Sequence, residues 1–254
     1  MVTAAKLLRR VGRKRAGLFL AEGPNLVEAA LARGLVTEVF ATEAALDRFN
    51  DLLRSAPVQI VTDRAAKALS DTVTPVGLVA VCTVPEAHLD DVLAASPRLV
   101  LVAVETAEPG NAGTLIRIAD AMGADAVVLA GDSVDPFNGK CLRASAGSIF
   151  ALPVVSAPNV PALVAILRTA GLQVLATTLD GELSLDDAEL SVPTAWLFGA
   201  EAHGLAPDVA SLASSRVHIP MPGGAESLNI AAAAAICLYQ SARAGRPDSG
   251  PRRP

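Results

Sequence analysis

Along the chain, short apolar runs rich in Val, Leu and Ala alternate with longer stretches in which apolar residues return every three or four positions. The first pattern predicts buried strands and the second amphipathic helices. After a basic N-terminal arm, Glu22 to Arg33 has helical spacing and Gly34 stops it. Val36 to Ala41 predicts a strand, and Thr42 to Arg54 a helix that ends before Pro57. Val58 to Val61 predicts a second strand, Asp63 caps a short helix to Leu69, and Val76 to Val81 predicts a third strand. Together they make one small α/β domain over residues 1–85. The stretch from Pro85 to Pro97, with its prolines, acids and Ser96, reads as the linker, residues 86–97, to a second domain.

That second domain opens on Leu99 to Val104, a strand that runs into the turn Glu105-Thr-Ala-Glu-Pro-Gly-Asn-Ala-Gly and then into a helix ending at Met122, before Gly123. A strand, a Gly-rich turn and a helix present free amides at the helix N-terminus to an anion or cofactor, although this turn is neither GxGxxG nor a Walker A sequence. Ala126 to Ala130 predicts the next strand, and Asn138 to Ala144 a helix. Gly147 to Val155 leads through Pro153 into another strand, Val160 to Ala170 is a helix stopped by Gly171, and Leu172 to Thr177 is a strand. Beyond an acidic loop at Asp186-Asp187, the strand Thr194-Ala-Trp-Leu-Phe runs into Gly199, Pro207 suits the first turn of a helix, and Arg216 to Ile219 is a last short strand. Strands alternating with helices in this way predict a parallel sheet with helices on both faces.

The closing segment begins at Ile219-Pro-Met-Pro-Gly-Gly. Two prolines and Gly223-Gly224 keep it out of helix, whereas Ser227 and Asn229 as caps, Glu226 at the positive end of the dipole, and an alanine run predict a helix to Tyr239. Residues 243–254, rich in Gly, Pro and Arg, are expected to be a disordered tail.

Length and composition agree with two unequal domains: the chain has 254 residues, 52% of them apolar and only 3% aromatic, so the cores are built of Ala, Val, Leu and Ile. No apolar run reaches the roughly 18 residues that cross a bilayer, and Leu18-Phe19-Leu20 is too short for a signal peptide, so a soluble, cytoplasmic protein is expected. Cys82, Cys141 and Cys237 form no CxxC pair and are expected to be reduced and buried. His88, His203 and His218 are as scattered, so no metal site is expected. The net charge of −5 hides an asymmetry, because Lys6, Arg9, Arg10, Arg13, Lys14 and Arg15 crowd the first fifteen residues without an acid. That arm reads either as an RNA footprint or as a solvated basic helix.

Three polar turns each follow an apolar strand: Asn111-x-Gly113-x-x-x-Arg117, Gly199-x-Glu201-x-x-Gly204, and Ile219-Pro-Met with Glu226-Ser-Leu-Asn229. In a parallel sheet such turns gather at the carboxyl ends of the strands, where ligands bind. In this order and spacing they resemble the SpoU (TrmH-type) RNA 2′-O-ribose methyltransferases of the SPOUT class, over about Leu99 to Ala242. The N-terminal domain resembles, more diffusely, the RNA substrate-binding domain that many members carry, similar in fold to a ribosomal protein. The resemblance implies a C-terminal trefoil knot holding S-adenosyl-L-methionine, here through Gly199, Ile219 and Leu228. It implies a catalytic arginine at Arg117 with Asn111, Glu201, Ser227 and Asn229 as polar companions, a homodimer, and no metal. Ribosomal RNA is the expected substrate ahead of transfer RNA.

The residue types suit that chemistry. A ribose 2′-hydroxyl is a poor nucleophile, so it must be aligned with the methyl donor and helped to lose its proton. An arginine is an ordinary charge stabiliser and a poor base, so both roles stay open for Arg117. The Ala231 to Ala235 run and the loose Pro222-Gly223-Gly224 loop depart from the usual family pattern without removing a polar group. A catalytically inactive RNA- or nucleotide-binding module is the alternative on the same fold, and the missing GxGxxG argues against a dinucleotide-dependent oxidoreductase.

Overall fold

The structure, a computed structural model, describes residues 2–54, 56–201 and 203–245. It divides into two compact units, Met1–Glu86 with Asp135–Ala151, and Ala87–Val134 with Leu152–Pro254. Residues 135–151 lie inside the second domain in sequence, yet they pack as part of the first unit.

The first unit runs α1 (Val2–Ala5), a 3-10 turn at Lys6–Leu8, α2 (Arg10–Ala16), β1 (Leu18–Glu22), α3 (Pro24–Ala32), β2 (Val36–Ala41), α4 (Glu43–Arg48), α5 (Asn50–Leu53), β3 (Val58–Ile60), α6 (Asp63–Lys67) and β4 (Leu78–Thr83). Its four strands form a mixed sheet in the order β1-β4-β2-β3, with β4 antiparallel to both β1 and β2, and β3 parallel to β2. The strand at Leu18–Glu22 was not expected, and Glu22 ends it instead of opening a helix. The helix begins two residues later at Pro24, where a missing amide hydrogen costs nothing. The helix expected over Thr42 to Arg54 is broken at Phe49, and the cap of α6 is Thr62, whose hydroxyl accepts from the Ala65 amide at 3.3 Å, not Asp63.

Arg13 departs most from the reading of the basic arm. It is buried, its Nη2 lies 2.7 Å from Asp135 Oδ2, and its Nη1 donates to the carbonyls of Leu7 at 2.8 Å and Leu8 at 3.0 Å. It is a structural cation that ties α2 to the later segment. Of that segment, Phe150 stacks on Phe19 with ring centroids 5.7 Å apart, and Phe137 packs against it tilted, at 5.0 Å. Its helix, Gly139–Ser145, offers Arg143 to Asp71 and Glu22. Lys6, Arg9, Arg10, Lys14 and Arg15 are exposed, and none makes an ion pair among the described residues.

The second unit continues with α7 (Leu89–Ala94), β5 (Leu99–Val104), α8 (Pro109–Met122), β6 (Ala126–Ala130), then α9, the Gly139–Ser145 helix of the first unit, β7 (Val154–Ala157), α10 (Val160–Thr169), β8 (Gln173–Thr177), β9 (Leu183–Ser184), β10 (Thr194–Phe198), α11 (Pro207–Ala210), β11 (Ser215–His218) and α12 (Ile230–Ala244). Its seven strands lie in the order β7-β6-β5-β10-β8-β11-β9, and each neighbouring pair is parallel. All six residues of β5 and all five of β10 are buried, as strands covered on both faces must be. On one face Val100, Val102, Ala195 and Leu197 pack with Leu163, Val164 and Leu167 of α10. On the other, Trp196 donates its indole N–H to Ser241 Oγ of α12 at 2.9 Å.

Three expectations need correction here. The stretch read as linker contains α7, whose Val92 joins the core of the sheet. The closing helix starts at Ile230, so Glu226 lies ahead of its first turn, and it is capped by Asn229 and not by Ser227. It also runs on through Arg243 and Ala244, which had been assigned to the tail; the rest of that tail, from residue 246, lies outside the described residues. All three cysteines are free and buried, and burial pushes each thiol up to about 12. Among the described residues no helix is long and apolar enough to cross a membrane.

Candidate active site

Because β5, β8, β10 and β11 run parallel, the segments that leave them all emerge at one edge of the sheet. There the segments after β8, β10 and β11, with the approach to α12, enclose a cavity of about 640 Å³, a size suited to a cofactor. The end of β8 supplies Thr178 and Asp180, that of β10 supplies Phe198, Gly199, Glu201, His203 and Leu205, and that of β11 supplies Arg216, Ile219 and Met221. Ser227, Leu228, Ile230 and Ala233 complete the wall from the approach and first turn of α12.

Gly199 has to be glycine. A Cβ there would sit 2.1 Å from the Gly204 carbonyl carbon and 2.2 Å from the Leu205 nitrogen, a backbone approach that leaves no room for a side chain. The turn is closed by the Gly204 amide, which donates to the Ala200 carbonyl at 2.8 Å, with Gly204 itself left-handed at φ 67°. The turn is thus packed on its own backbone, and this holds Glu201 and His203 in the cavity wall.

Beside the cavity the three motifs meet at one carboxylate. Glu201 Oε2 accepts from Asn111 Nδ2 at 2.7 Å, and Glu201 Oε1 accepts from Asn229 Nδ2 at 2.9 Å. Asn229 is itself fixed, because its Oδ1 accepts from the Ala231 amide at 2.9 Å as the cap of α12. Asn111 is held by α8, which Pro109 starts and Glu108 caps by accepting from the Gly110 amide at 3.2 Å.

Of the residues singled out from the sequence, Gly199, Glu201, Ile219, Ser227 and Leu228 line the cavity, and Asn111 and Asn229 are joined to it through Glu201. Arg117 is not drawn in: it is exposed on α8, lies outside the cavity wall, and makes no hydrogen bond or ion pair among the described residues. The sequence reading missed His203, Thr178, Asp180 and Arg216. The last two form an ion pair at 3.2 Å, and Arg216 Nε also reaches Glu182 at 2.9 Å. The Arg216 amide and then its guanidinium hold the Glu182 carboxyl below the usual carboxylate range. The rule that ligands meet strand ends would have found this side had it been applied to β8 as well as to β5, β10 and β11. Among the described residues no group of three or more His, Cys, Asp or Glu side chains is placed to hold a metal ion.

An all-parallel sheet with a cavity at its carboxyl edge, walled by glycine-rich turns, defines a small-molecule-binding α/β domain. The description of the SpoU rRNA Methylase family matches residues 98–239, and that of the MRM3-like substrate binding domain matches residues 3–80. The chain belongs to the SpoU rRNA methylase family. It is 37% identical to the 23S rRNA (guanosine(2553)-2′-O)-methyltransferase RlmP of Bacillus subtilis, over 92% of either chain. With the 23S rRNA (uridine(2479)-2′-O)-methyltransferase of Streptomyces viridochromogenes it shares 32% identity over 94% of this chain and 87% of the relative. Among solved structures, the SpoU methyltransferase AviRb of that organism in complex with AdoMet superposes with a TM-score of 0.85, covering 95% of both chains at 32% identity.

Proposed function

We propose that this chain transfers a methyl group from S-adenosyl-L-methionine to a ribose 2′-hydroxyl of ribosomal RNA. The observation that carries the reading is the carboxylate of Glu201, which joins Asn111 and Asn229 beside a cavity whose floor at Gly199 admits only backbone. The residues present fit the cofactor. Phe198, Leu205, Ile219 and Leu228 suit a flat aromatic base, while the Asp180 and Arg216 pair suits the amino-acid end. When bound, the sulfonium supplies an electrophilic methyl group, so the task left to the protein is alignment and proton removal.

The finer assignments belong to the same proposal. Gly199, Ile219 and Leu228 hold the cofactor, with the C-terminal segment passing through a trefoil knot. Glu201 and the two asparagines order the polar edge, and Ser227 adds a hydroxyl in the cavity wall. The protein acts in the cytoplasm, where ribosomal RNA is made. Residues 1–85 bind RNA, with the five exposed cations of the basic arm meeting phosphates. The chain acts as a homodimer through the helix pair α8 and α12, on which Ile236 and Tyr239 stand exposed, and Arg117 serves the neighbouring copy. That arrangement accounts for an arginine that makes no hydrogen bond or ion pair among the described residues.

Incubating the protein with radiolabelled S-adenosylmethionine and unmodified total RNA tests the reading, with calorimetry of the cofactor alone as its companion. Label is expected in ribosomal RNA, and Gly199→Ala is expected to lose cofactor binding. A wild-type protein that binds the cofactor but labels transfer RNA alone would move the substrate, and one that binds no cofactor would remove the reading.

A further inference from the structure

Assigning RNA to the N-terminal unit leaves open which form of RNA it takes. The basic arm is a built element of that unit. Ala4 and Leu7 are buried in one apolar cluster with Phe40, Leu69, Val79 and Val81. Gly12 brings α2 down onto the preceding turn, where a Cβ would sit 2.0 Å from the Lys6 carbonyl oxygen. Outward stand Arg10 with Lys14 and Val11 with Arg15, two pairs four residues apart and so on one side of α2, while Lys6 and Arg9 are exposed just before the helix. Five cations are thus held in a fixed row. Unpaired bases, in contrast, are read by stacking on aromatic or histidine rings. The unit contains no Trp, Tyr or His. Its phenylalanines are all engaged: Phe19, Phe40 and Phe150 are buried, Phe137 packs on Phe19, and the Arg48 guanidinium covers Phe49 at 5.1 Å from the ring centroid. The apolar side chain that the arm does expose, Val11 at 80%, has no ring.

We propose that the N-terminal unit holds a base-paired stem of the ribosomal RNA by its phosphates, with Lys6, Arg9, Arg10, Lys14 and Arg15 against the backbone of the stem; this rests on the reading above that the unit binds RNA. Side chains that meet phosphates without reaching bases suit an A-form duplex, which proteins hold by shape and backbone. A fixed row of charges also suits a stiff partner, because neither side has to be ordered on binding, whereas a loose single strand does. Each arginine of the arm stands among like charges, which draws its guanidinium to a phosphate ahead of the face of a base. The substrate class narrows accordingly, to ribosomal RNA that offers a stem.

The test is fluorescence anisotropy with the full-length protein at one salt concentration and three RNA probes. The probes are a duplex of about 16 base pairs, a length that other duplex-binding domains span, the same duplex with its base pairs in scrambled order, and one strand chosen not to fold on itself. The two duplexes should bind within about twofold of each other, and the single strand about tenfold or more weaker. Arg10→Gln, Lys14→Gln and Arg15→Gln together should weaken duplex binding by about tenfold or more with an unchanged melting temperature, because all three side chains are exposed. On ribosomal RNA, phosphate-ethylation interference should mark both strands of a stem. A single strand bound as tightly as the duplex, a marked preference for one duplex sequence, a triple variant that holds the duplex like the wild type, or interference confined to unpaired nucleotides would each overturn the stem while leaving the unit an RNA binder. Retention of none of the probes would remove RNA binding itself. None of these outcomes depends on methyl transfer, which the labelling experiment reads separately.

Discussion

Glu201 reaches two asparagines that lie 90 and 28 residues away in the chain, and it can do so only as a carboxylate. Glu201→Gln keeps the shape but turns one acceptor into an NH2 group, which then faces the amide donor of Asn111 or of Asn229. With the charge gone both hydrogen bonds weaken, so turnover should fall at least about tenfold, the scale of the roughly 1.5–3 kcal/mol of a hydrogen bond to a charged group. Thermal unfolding should hardly move, because the cluster is exposed. Arg117 poses a different question. If it grips the RNA phosphate and the developing alkoxide, Arg117→Ala should cut turnover by about 100-fold and leave cofactor affinity alone, and Arg117→Lys should restore little, since a point charge cannot copy a two-pronged donor. Rapid-quench rates beside calorimetry check both variants. The polar residues of the three motifs were named through the family resemblance, and the structure brings Asn111, Glu201 and Asn229 together. His203, Asp180 and Arg216 were not singled out: Asp180 follows β8, whose polar end was not taken as a fourth ligand-facing turn, His203 lies inside the second motif between its named residues, and Arg216 was read only as the start of the last strand.

The strands at Val36–Ala41, Leu99–Val104, Ala126–Ala130 and Thr194–Phe198 were legible to the residue, because an apolar run buried on the sheet has few alternatives. Leu18–Glu22 was missed since a glutamate ends it and a helical pattern follows at once. The helix α7 was missed since prolines at both sides of it read as linker punctuation. Arg13 shows a deeper limit: nothing in a run of six cations says which one turns inward, and the answer lies with Asp135, 122 residues further on. The consequence can be measured. Arg13→Met should destabilise the protein by about 3 kcal/mol by leaving Asp135 without its cation, and should leave the salt dependence of RNA binding unchanged. Replacing the exposed Arg10 and Lys14 by Gln should do the reverse, lowering the slope of log affinity against log salt by about 0.7 for each phosphate contact removed. Chemical denaturation and filter-binding titrations separate the two outcomes.

Residues 135–151 are shared property: they connect β6 to β7 of the large sheet while packing as part of the N-terminal unit. Removing residues 1–85 would therefore strand Phe137, Phe150 and Arg143 without Phe19, Asp71 and Glu22, so point changes are the cleaner probe of what each unit does. Assembly is a second property of the whole chain. Light scattering at micromolar concentration should give a dimer, and Tyr239→Asp on the exposed stripe of α12 should give a monomer that still binds cofactor but has lost turnover, because Arg117 no longer meets its neighbour's site. A wild-type monomer with full activity would reject that arrangement. The account as a whole stands on the position of the methyl group. A 2′-O-methyl ribose lacks the hydroxyl that alkali needs to cleave the next phosphodiester, so the decisive measurement is alkaline digestion of ribosomal RNA labelled by the protein with tritiated S-adenosylmethionine. The label should be found in alkali-resistant dinucleotides, and it should be at least about tenfold weaker with Glu201→Gln at equal times in the linear phase. Label released wholly in mononucleotides, or no label in RNA at all, would contradict the account.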